Sequence, residues 1–432
     1  MIFNPTYECM ERSDMEALQL FHLKETVRRA YEKVPHFKMA FDEAGVKPED
    51  LKTLADLKNF PFARKKDLRE NYPYGMLAVP MDDIVRIHAS SGTTGKPTVV
   101  AYTKHDLEMW SEAMARLIAA AGGTKGDIAQ ISFGYGLFTG ALGLHYGLEK
   151  LGAAVIPISA GNTEKQIMLM QDLWSTLLIS TPSYALYMAE VMEEMGVTKD
   201  DIHLRVGLFG GEGSTDGMMA KIEEKLGILA TENYGLSEII GPGVSGNCYV
   251  KEGLHINEDL FYAEIIDPET GEVLPVGETG ELVLTTLQKE GLPMIRYRTG
   301  DLTRLYDDPC PCGRKTRRME RVKGRSDDML IIKGVNVFPS QIEEVLMGIP
   351  AIGPHYQLVL TTKNYTDQLE VQVELTDDSL LDDFQKLENL SRSVQHKLHT
   401  VLGLTCQVRL MEPKTLARTA GKAKRVVDNR VK

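Results

Sequence analysis

The chain has 432 residues, is 43 % hydrophobic and 25 % charged, and carries a net charge of -12. That length exceeds the size at which single cores stop growing, so at least two domains are expected. The acidic balance argues against a broad electropositive surface for nucleic acid, and five cysteines, an odd number, fit a reducing cytoplasm better than a disulfide framework.

The opening stretch MIFNPTYECMERSDME has no basic region followed by an apolar run, so no export signal is read there. VRIH at 85, AAVIPI at 153, LLIS at 177 and LRVGLF at 204 read as strands separated by amphipathic stretches, the texture of an α/β sheet covered on both faces. Between the first two, residues 128–148 carry no formal charge and are long enough to span a bilayer. Five glycines and the polar Gln130, Ser132, Tyr135, Thr139 and His145 make that stretch a poor membrane helix, and no membrane partner is expected. From Phe261 to Leu287 the pattern becomes alternating strands around the turn signals Asp267-Pro268 and Thr270-Gly271.

After GRSDD at 324 a smaller pattern begins. Ser340 with Glu343 predicts a capping box for a helix that Gly348 ends. Leu369, Val371, Val373 and Leu375 alternate as a strand. Leu380, Phe384, Leu387, Val394, Leu398 and Val401 follow at helical spacing up to Gly403, and residues 406–410 read as another strand. The expected domains are 1–326 and 327–432, a large α/β domain with an antiparallel β subdomain followed by a small α+β domain.

The strongest local signal is SSGTTGKPT, running from Ser90 to Thr98 directly after a predicted strand. Its glycines let backbone N–H groups approach phosphate oxygens. The hydroxyls of Ser90, Ser91, Thr93 and Thr94 add donors, and Lys96 adds positive charge. It is not a Walker loop, because Pro97 follows the lysine and the glycine spacing is too short.

Taken with YGLSE at 234, YRTGD at 297, GRSDDMLIIKGVNVFPSQIE at 324 and RTAGKAKR at 418, this loop resembles the adenylate-forming superfamily of acyl-CoA synthetases. FGYGLFTGALGLHYG at 133 and GPGV at 241 are similar to the phenylacetate-CoA ligases in particular. The resemblance runs essentially end to end and implies a small C-terminal domain that is mobile. It also implies two half-reactions, adenylation of an aryl acid by ATP and then displacement of AMP by CoA, in phenylacetate catabolism.

Each motif then acquires a role. Ser90, Ser91, Gly92, Thr93, Thr94, Gly95 and Lys96 match the phosphate loop. Gly211, Glu212 and Gly213 of GGEGST match a stretch along the adenine and acyl group, while Ser214 or Thr215 is suited to cap the next helix. Asn233, Tyr234, Gly235 and Ser237 belong to the nucleotide motif that ends in Glu238, the position that the family associates with Mg²⁺. Asp301 matches the carboxylate that accepts hydrogen bonds from the ribose, and Arg325 the residue reaching the same nucleotide. Tyr135 and Phe138 offer flat apolar surface for a ring, with glycines leaving room beside it, and His145 and Tyr146 stand nearby in the chain. Lys333, Gly334 and Val335 match the pantetheine path, Asp327 the hinge, and Lys422 the adenylation lysine, with Lys424 as its competitor.

Cys248 and His255, spaced C-x₆-H, together with Cys310-x-Cys312, make a Cys₃His set suited to structural Zn²⁺. Unpaired structural cysteines and a redox pair are the alternatives, and Cys9 and Cys406 have no evident partners. The expected partners are ATP, CoA and an aryl acid. A homodimer is the commonest closed assembly. A ligase for another aryl acid, such as benzoate or indoleacetate, is the alternative within enzymes. A non-catalytic nucleotide-binding sensor is the alternative outside them.

Overall fold

A computed structural model describes residues 1–90, 97–325, 329–332, 335–363, 366–378, 380, 383–419 and 423–430. It divides into two compact units. The larger comprises residues 1–180, 200–211 and 229–322; the smaller comprises 181–199, 212–228 and 323–432.

In the larger unit β1 (Ile84–Ala89) pairs antiparallel with β2 (Val99–Thr103) as a separate ribbon. The first of the expected sheet strands therefore lies outside the main sheet. Alternation predicts a half-buried strand but carries no information about which neighbour it pairs with.

The main sheet is built from β3 (Ile128–Ile131), β4 (Ala154–Ile156), β5 (Leu177–Ser180), β6 (Val206–Phe209), β7 (Leu229–Leu236), β8 (Gly241–Asn247) and β9 (Leu254–Ile256). Strands β4, β3, β5, β6 and β7 run parallel in that order. β5 and β6 are buried along their whole length, which is why they appear in the sequence as unbroken apolar runs. At β7 the sheet changes sense: β8 and β9 continue it antiparallel.

β10 (Phe261–Ile266) and β11 (Gly280–Thr286) form the expected antiparallel subdomain, and β12 (Tyr297–Thr303) adds to it antiparallel beyond the expected stretch. The turn from β10 to β11 is closed by Asp267, whose carboxylate accepts from the amides of Glu269 and Thr270. Two short strands, β13 (Leu305–Tyr306) and β14 (Arg318–Met319), return to the main sheet, with His255 opposite Arg318.

Helices Lys104–Ala120 and Gly140–Leu151 pack closely in this unit. A Cβ on Gly143 would stand 2.4 Å from the Trp110 ring, and one on Gly147 2.3 Å from Met114, so only glycine permits that approach. Residues 128–148 thus hold a strand and part of a glycine-packed helix. Among the described residues no helix is long and apolar enough to cross a membrane.

The smaller unit contains β15 (Gly324–Arg325), the ribbon of β16 (Leu330–Ile332) and β17 (Val335–Val337), and a sheet in the order β20 (Gln407–Met411), β19 (Thr366–Leu375), β18 (Ile352–Lys363), β21 (Val426–Asp428). Leu369, Val371, Val373 and Leu375 are buried against Val394 and Leu398 of helix Phe384–Leu402. Two details depart from expectation. Helix Pro339–Met347 is capped at Phe338, whose amide donates to Gln341, whereas Ser340 donates to the Lys323 carbonyl. Pro339 sets the first helical φ, and the start moves ahead of Ser340. Phe384 and Val401 are exposed, because the apolar stripe of their helix is narrower than the periodicity suggests.

Candidate active site

In the larger unit the site grows from the turn between β7 and β8. Gly235 lies so close to the facing strand that a Cβ would stand 1.9 Å from the Gly241 carbonyl oxygen; no other residue fits without separating the strands. This tight pairing places Ser237, Glu238 and Ile239 in the turn, where Ile239 and Ile240 donate back to the Leu236 carbonyl. The turn is held from several sides. The Ser237 and Thr139 hydroxyls are 3.0 Å apart, Tyr102 donates to the Ile240 carbonyl at 2.9 Å, and Trp110 donates to the Pro242 carbonyl at 2.6 Å.

Glu238 is buried, and Lys65 Nζ lies 3.4 Å from its Oε1. The fully buried Lys289 donates to the Ile239 carbonyl at 2.6 Å; burial pushes its ammonium down to about 8, against the pull of Asp106 and Glu238. Sequence reasoning passed over both lysines. The ARKKDL run offered a weak signal for Lys65, and nothing local marked Lys289.

Beside the turn, the buried Asn233 donates to the Phe209 carbonyl at 3.0 Å, fixing β7 against the end of β6. Tyr234 donates to Asp301 Oδ2 at 2.5 Å. Asp301 is buried on β12, with its amide bonded to Thr299 Oγ1 at 3.0 Å. The structure thus brings Asn233, Tyr234, Gly235, Ser237, Glu238 and Asp301 together beside the carboxyl ends of β6 and β7, where ligands bind in sheets of this kind. A buried carboxylate is the oxygen donor that Mg²⁺ prefers, so Glu238 fits the ion that the family implies.

Ser90 directly follows β1, and its hydroxyl accepts from the Thr98 amide at 3.0 Å. Ser91, Gly92, Thr93, Thr94, Gly95 and Lys96 lie outside the described residues, as do Asp327, Lys333, Gly334 and Lys422.

Tyr135 and Phe138 follow β3. Tyr135 is half-buried and meets His145 Nδ1 at 3.1 Å, while His145 Nε2 meets Glu149 at 3.1 Å. Burial, first, and the charge of Glu149 push the Tyr135 phenol well above its ordinary range. The Phe138 ring is partly exposed and rests on Gly140, where a Cβ would come within 2.4 Å. His145 is tied into this region through Tyr135, and Tyr146 stacks under Arg86 at 4.6 Å. Gly211 adopts φ +82°, a conformation natural to glycine.

In the smaller unit Thr215 caps helix Asp216–Leu226, its hydroxyl accepting from the Met218 amide at 3.2 Å, as expected. Gly213 has open space where a side chain would project. Glu212 accepts from the Ser183 amide at 2.8 Å and from the Ala423 amide at 2.9 Å. Arg325 and Val335 are half-buried on β15 and β17.

The four metal-ligand candidates converge in the larger unit. Ligand atoms of Cys248, His255, Cys310 and Cys312 all lie within 4.8 Å of one another. Cys248 and Cys310 sulfurs are 3.8 Å apart, and Cys312 Sγ is 3.3 Å from His255 Nε2. A tetrahedral site with Zn–S bonds of about 2.3 Å has sulfurs about 3.8 Å apart, so the spacing fits zinc. His255 Nδ1 is 3.1 Å from Thr316 Oγ1, an outer partner of the kind that orients a ligating imidazole. Hydrogen bonds from Cys248, foremost, and from His255 drive the Cys312 thiol far below its ordinary range, while the same bond pushes Cys248 up. Cys9 stands close by, 3.6 Å from the Gly313 carbonyl oxygen, so it has a neighbour that the sequence did not suggest.

Comparison with known proteins gives the family. A family described as AMP-binding enzyme matches residues 9–288, and AMP-binding enzyme C-terminal domain matches residues 334–430. The chain is 52 % identical to the phenylacetate-coenzyme A ligase of Aromatoleum evansii, over 98 % of this chain and 97 % of the relative. It is 47 % identical to that of Escherichia coli (strain K12), over 100 % and 99 %. A crystal structure of 2-hydroxyisobutyryl-CoA ligase in the postadenylation state, in complex with 2-HIB-AMP, matches with a TM-score of 0.94 at 30 % identity, covering 99 % of this chain and 92 % of that one. The chain belongs to the AMP-binding enzyme family and, within it, to the phenylacetate-coenzyme A ligases.

Proposed function

We propose that this chain joins phenylacetate to coenzyme A through an enzyme-bound phenylacetyl-adenylate. The observation that carries the reading is the bond from Tyr234 to Asp301 beside the turn that holds the buried Glu238, in a chain about half identical along its whole length to phenylacetate-coenzyme A ligases.

In the first half-reaction a phenylacetate oxygen attacks the α-phosphorus of ATP, the bond to the β-phosphate oxygen breaks, and pyrophosphate leaves. In the second, the CoA sulfur attacks the acyl carbon and loses its proton, and the C–O bond to AMP breaks. Both depend chiefly on positioning and on spreading negative charge. We assign charge stabilisation to Lys96 and Lys422, ribose binding to Asp301 held by Tyr234, and further nucleotide contacts to the 90–96 loop, Gly211, Gly213, Asn233, Gly235, Ser237 and Arg325. Glu238 would hold Mg²⁺, which supplies neutralisation of the phosphate charge. Tyr135 and Phe138 would flank the ring, Lys333, Gly334 and Val335 the pantetheine arm, and Asp327 would act as the hinge between domains divided near residue 327.

Phenylacetate-dependent exchange of pyrophosphate into ATP without CoA, and thioester formation once CoA is added, tests the scheme. ATP binding with no exchange for any acid would replace it with the sensor reading.

We also propose that Cys248, His255, Cys310 and Cys312 hold one structural Zn²⁺. Four ligands would complete a tetrahedral shell and leave no position open for catalysis. Protein prepared under reducing conditions without chelator should carry about one equivalent of zinc; less than about half would return the cysteines to an unmetallated turn. A homodimer in the cytoplasm completes the reading, and a light-scattering mass of one 48.1 kDa chain would remove the dimer.

A further inference from the structure

We propose that Glu212 is a positioning residue, a carboxylate clasp that holds the chain beside Lys422 for adenylation. The proposal rests on the reading of Lys422 as the adenylation lysine.

The contacts all lie within the smaller unit. The first amides of helix Pro182–Glu194 have no carbonyl one turn earlier in the helix to bond, as at every helix start, and take side-chain acceptors instead. Thr181 Oγ1 accepts from the Tyr184 amide at 3.2 Å, and Glu212 Oε1 accepts from the Ser183 amide at 2.8 Å. A carboxylate is favoured there by the helix dipole, so Glu212 is held in place by its own side of the contact. Its other oxygen, Oε2, accepts from the Ala423 amide at 2.9 Å, one residue beyond Lys422. Both oxygens of a half-buried carboxylate are thus engaged by backbone donors from two distant segments. That arrangement suits a clasp better than a direct nucleotide contact.

The same stretch is anchored on both flanks. Arg418 donates to Glu374 at 2.7 and 2.9 Å and to Glu190 at 3.1 Å. Arg425 lies over the Tyr356 ring at 4.2 Å, 3.5 Å from Glu343, with Nη2 3.3 Å from Ser183 Oγ. Glu343 also accepts from Tyr356 at 2.8 Å and from Thr215 at 3.3 Å. Glu212 and Thr215, three residues apart, therefore both lead to residues 423–425. Among these anchors Glu212 holds the residue that follows Lys422 in the chain, and its bond to Ala423 is made by a charged acceptor, the stronger kind of hydrogen bond.

Glu212→Gln tests the clasp at constant size. The amide has one acceptor oxygen, so one of the two backbone donors would face an NH₂ group. Pyrophosphate release in the absence of CoA should fall about tenfold or more. Thioester formation from supplied phenylacetyl-adenylate and CoA should stay within about twofold of the parent, a split that general loss of structure would not produce. Adenylation within about twofold of the parent, or an equal fall in both half-reactions, would overturn the proposal. A second arm separates this from the lysine reading. Lys422→Ala alone should cut adenylation by about a hundredfold or more to a measurable residual rate, and normal adenylation would sink the reading of Lys422 itself. Over the residual rate of Lys422→Ala, adding Glu212→Gln should change nothing; a further tenfold loss would mean that Glu212 acts on the nucleotide directly, contradicting the clasp.

Discussion

The Tyr234 hydroxyl donates to Oδ2 of Asp301 at 2.5 Å, joining β7 of the main sheet to β12 of the antiparallel layer. The bond holds Oδ2 of the carboxylate against β7. If that carboxylate receives the ribose, Tyr234→Phe should raise KM for ATP by about three- to tenfold, the worth of one charge-assisted hydrogen bond, with little change in thermal midpoint. Asp301→Asn should raise it by about tenfold or more. Steady-state kinetics with varied ATP reads both, and an unchanged KM in Asp301→Asn would remove the ribose assignment.

Lys289 gives a pH dependence with a defined sign. Its ammonium titrates near 8 in the folded chain, below the ordinary value of 10.5. Below about pH 8 it is charged in both states, and the folded state carries the whole burial penalty. Between about 8 and 10.5 the unfolded chain binds more protons, so this group makes stability rise with pH; above that range the penalty is gone. Lys289→Met removes the titration. Its stability relative to the parent should therefore fall by roughly 2–3 kcal/mol between pH 7 and pH 10 in urea denaturation. Parallel curves for the two proteins would contradict the assignment.

Two glycines should respond in opposite ways. Gly235→Ala drives a Cβ into the Gly241 carbonyl at 1.9 Å, a backbone clash that no rotamer relieves. It should cost about 3 kcal/mol or more and open the turn that carries Glu238. Gly213→Ala meets open space and should leave stability within about 0.5 kcal/mol. Any fall in its adenylation rate then reports substrate occupying that space, so thermal melts and rates should be measured together.

If the Cys₃His set holds zinc, the ion ties residues 248–255 to residues 310–312. Metal removal, or His255→Ala, should lower the thermal midpoint by roughly 5–10 °C, and zinc should restore it in the parent but not in the variant. A midpoint indifferent to metal would mean that the set has no structural ion.

Much of this architecture was legible in the sequence where burial leaves an unbroken apolar run, as in β5 and β6, or where a backbone need selects a residue, as at Gly403 with φ +69°. The order of motifs along the chain marked Tyr234, Glu238 and Asp301. Long-range pairing was not legible. β1 resembles a sheet strand yet pairs with β2 in a separate ribbon, and Cys248 and His255 reach Cys310 and Cys312 through the pairing of β9 with β14. Counter-charges were nearly silent: the ARKKDL run marks Lys65 only weakly, and nothing local shows that Lys289 stands by the Glu238 turn. Glu343 resembled a capping residue, but a half-hidden arginine and a buried tyrosine draw it inward instead.

The most direct test of the central claim is AMP release by the full chain with ATP, Mg²⁺ and CoA over a panel of phenylacetate, benzoate and indoleacetate. One methylene in an apolar pocket separates acids by about 1–3 kcal/mol, so kcat/KM for phenylacetate should exceed that for benzoate by roughly ten- to two-hundredfold. AMP release that favours benzoate or indoleacetate, or no release with any acid, would contradict it.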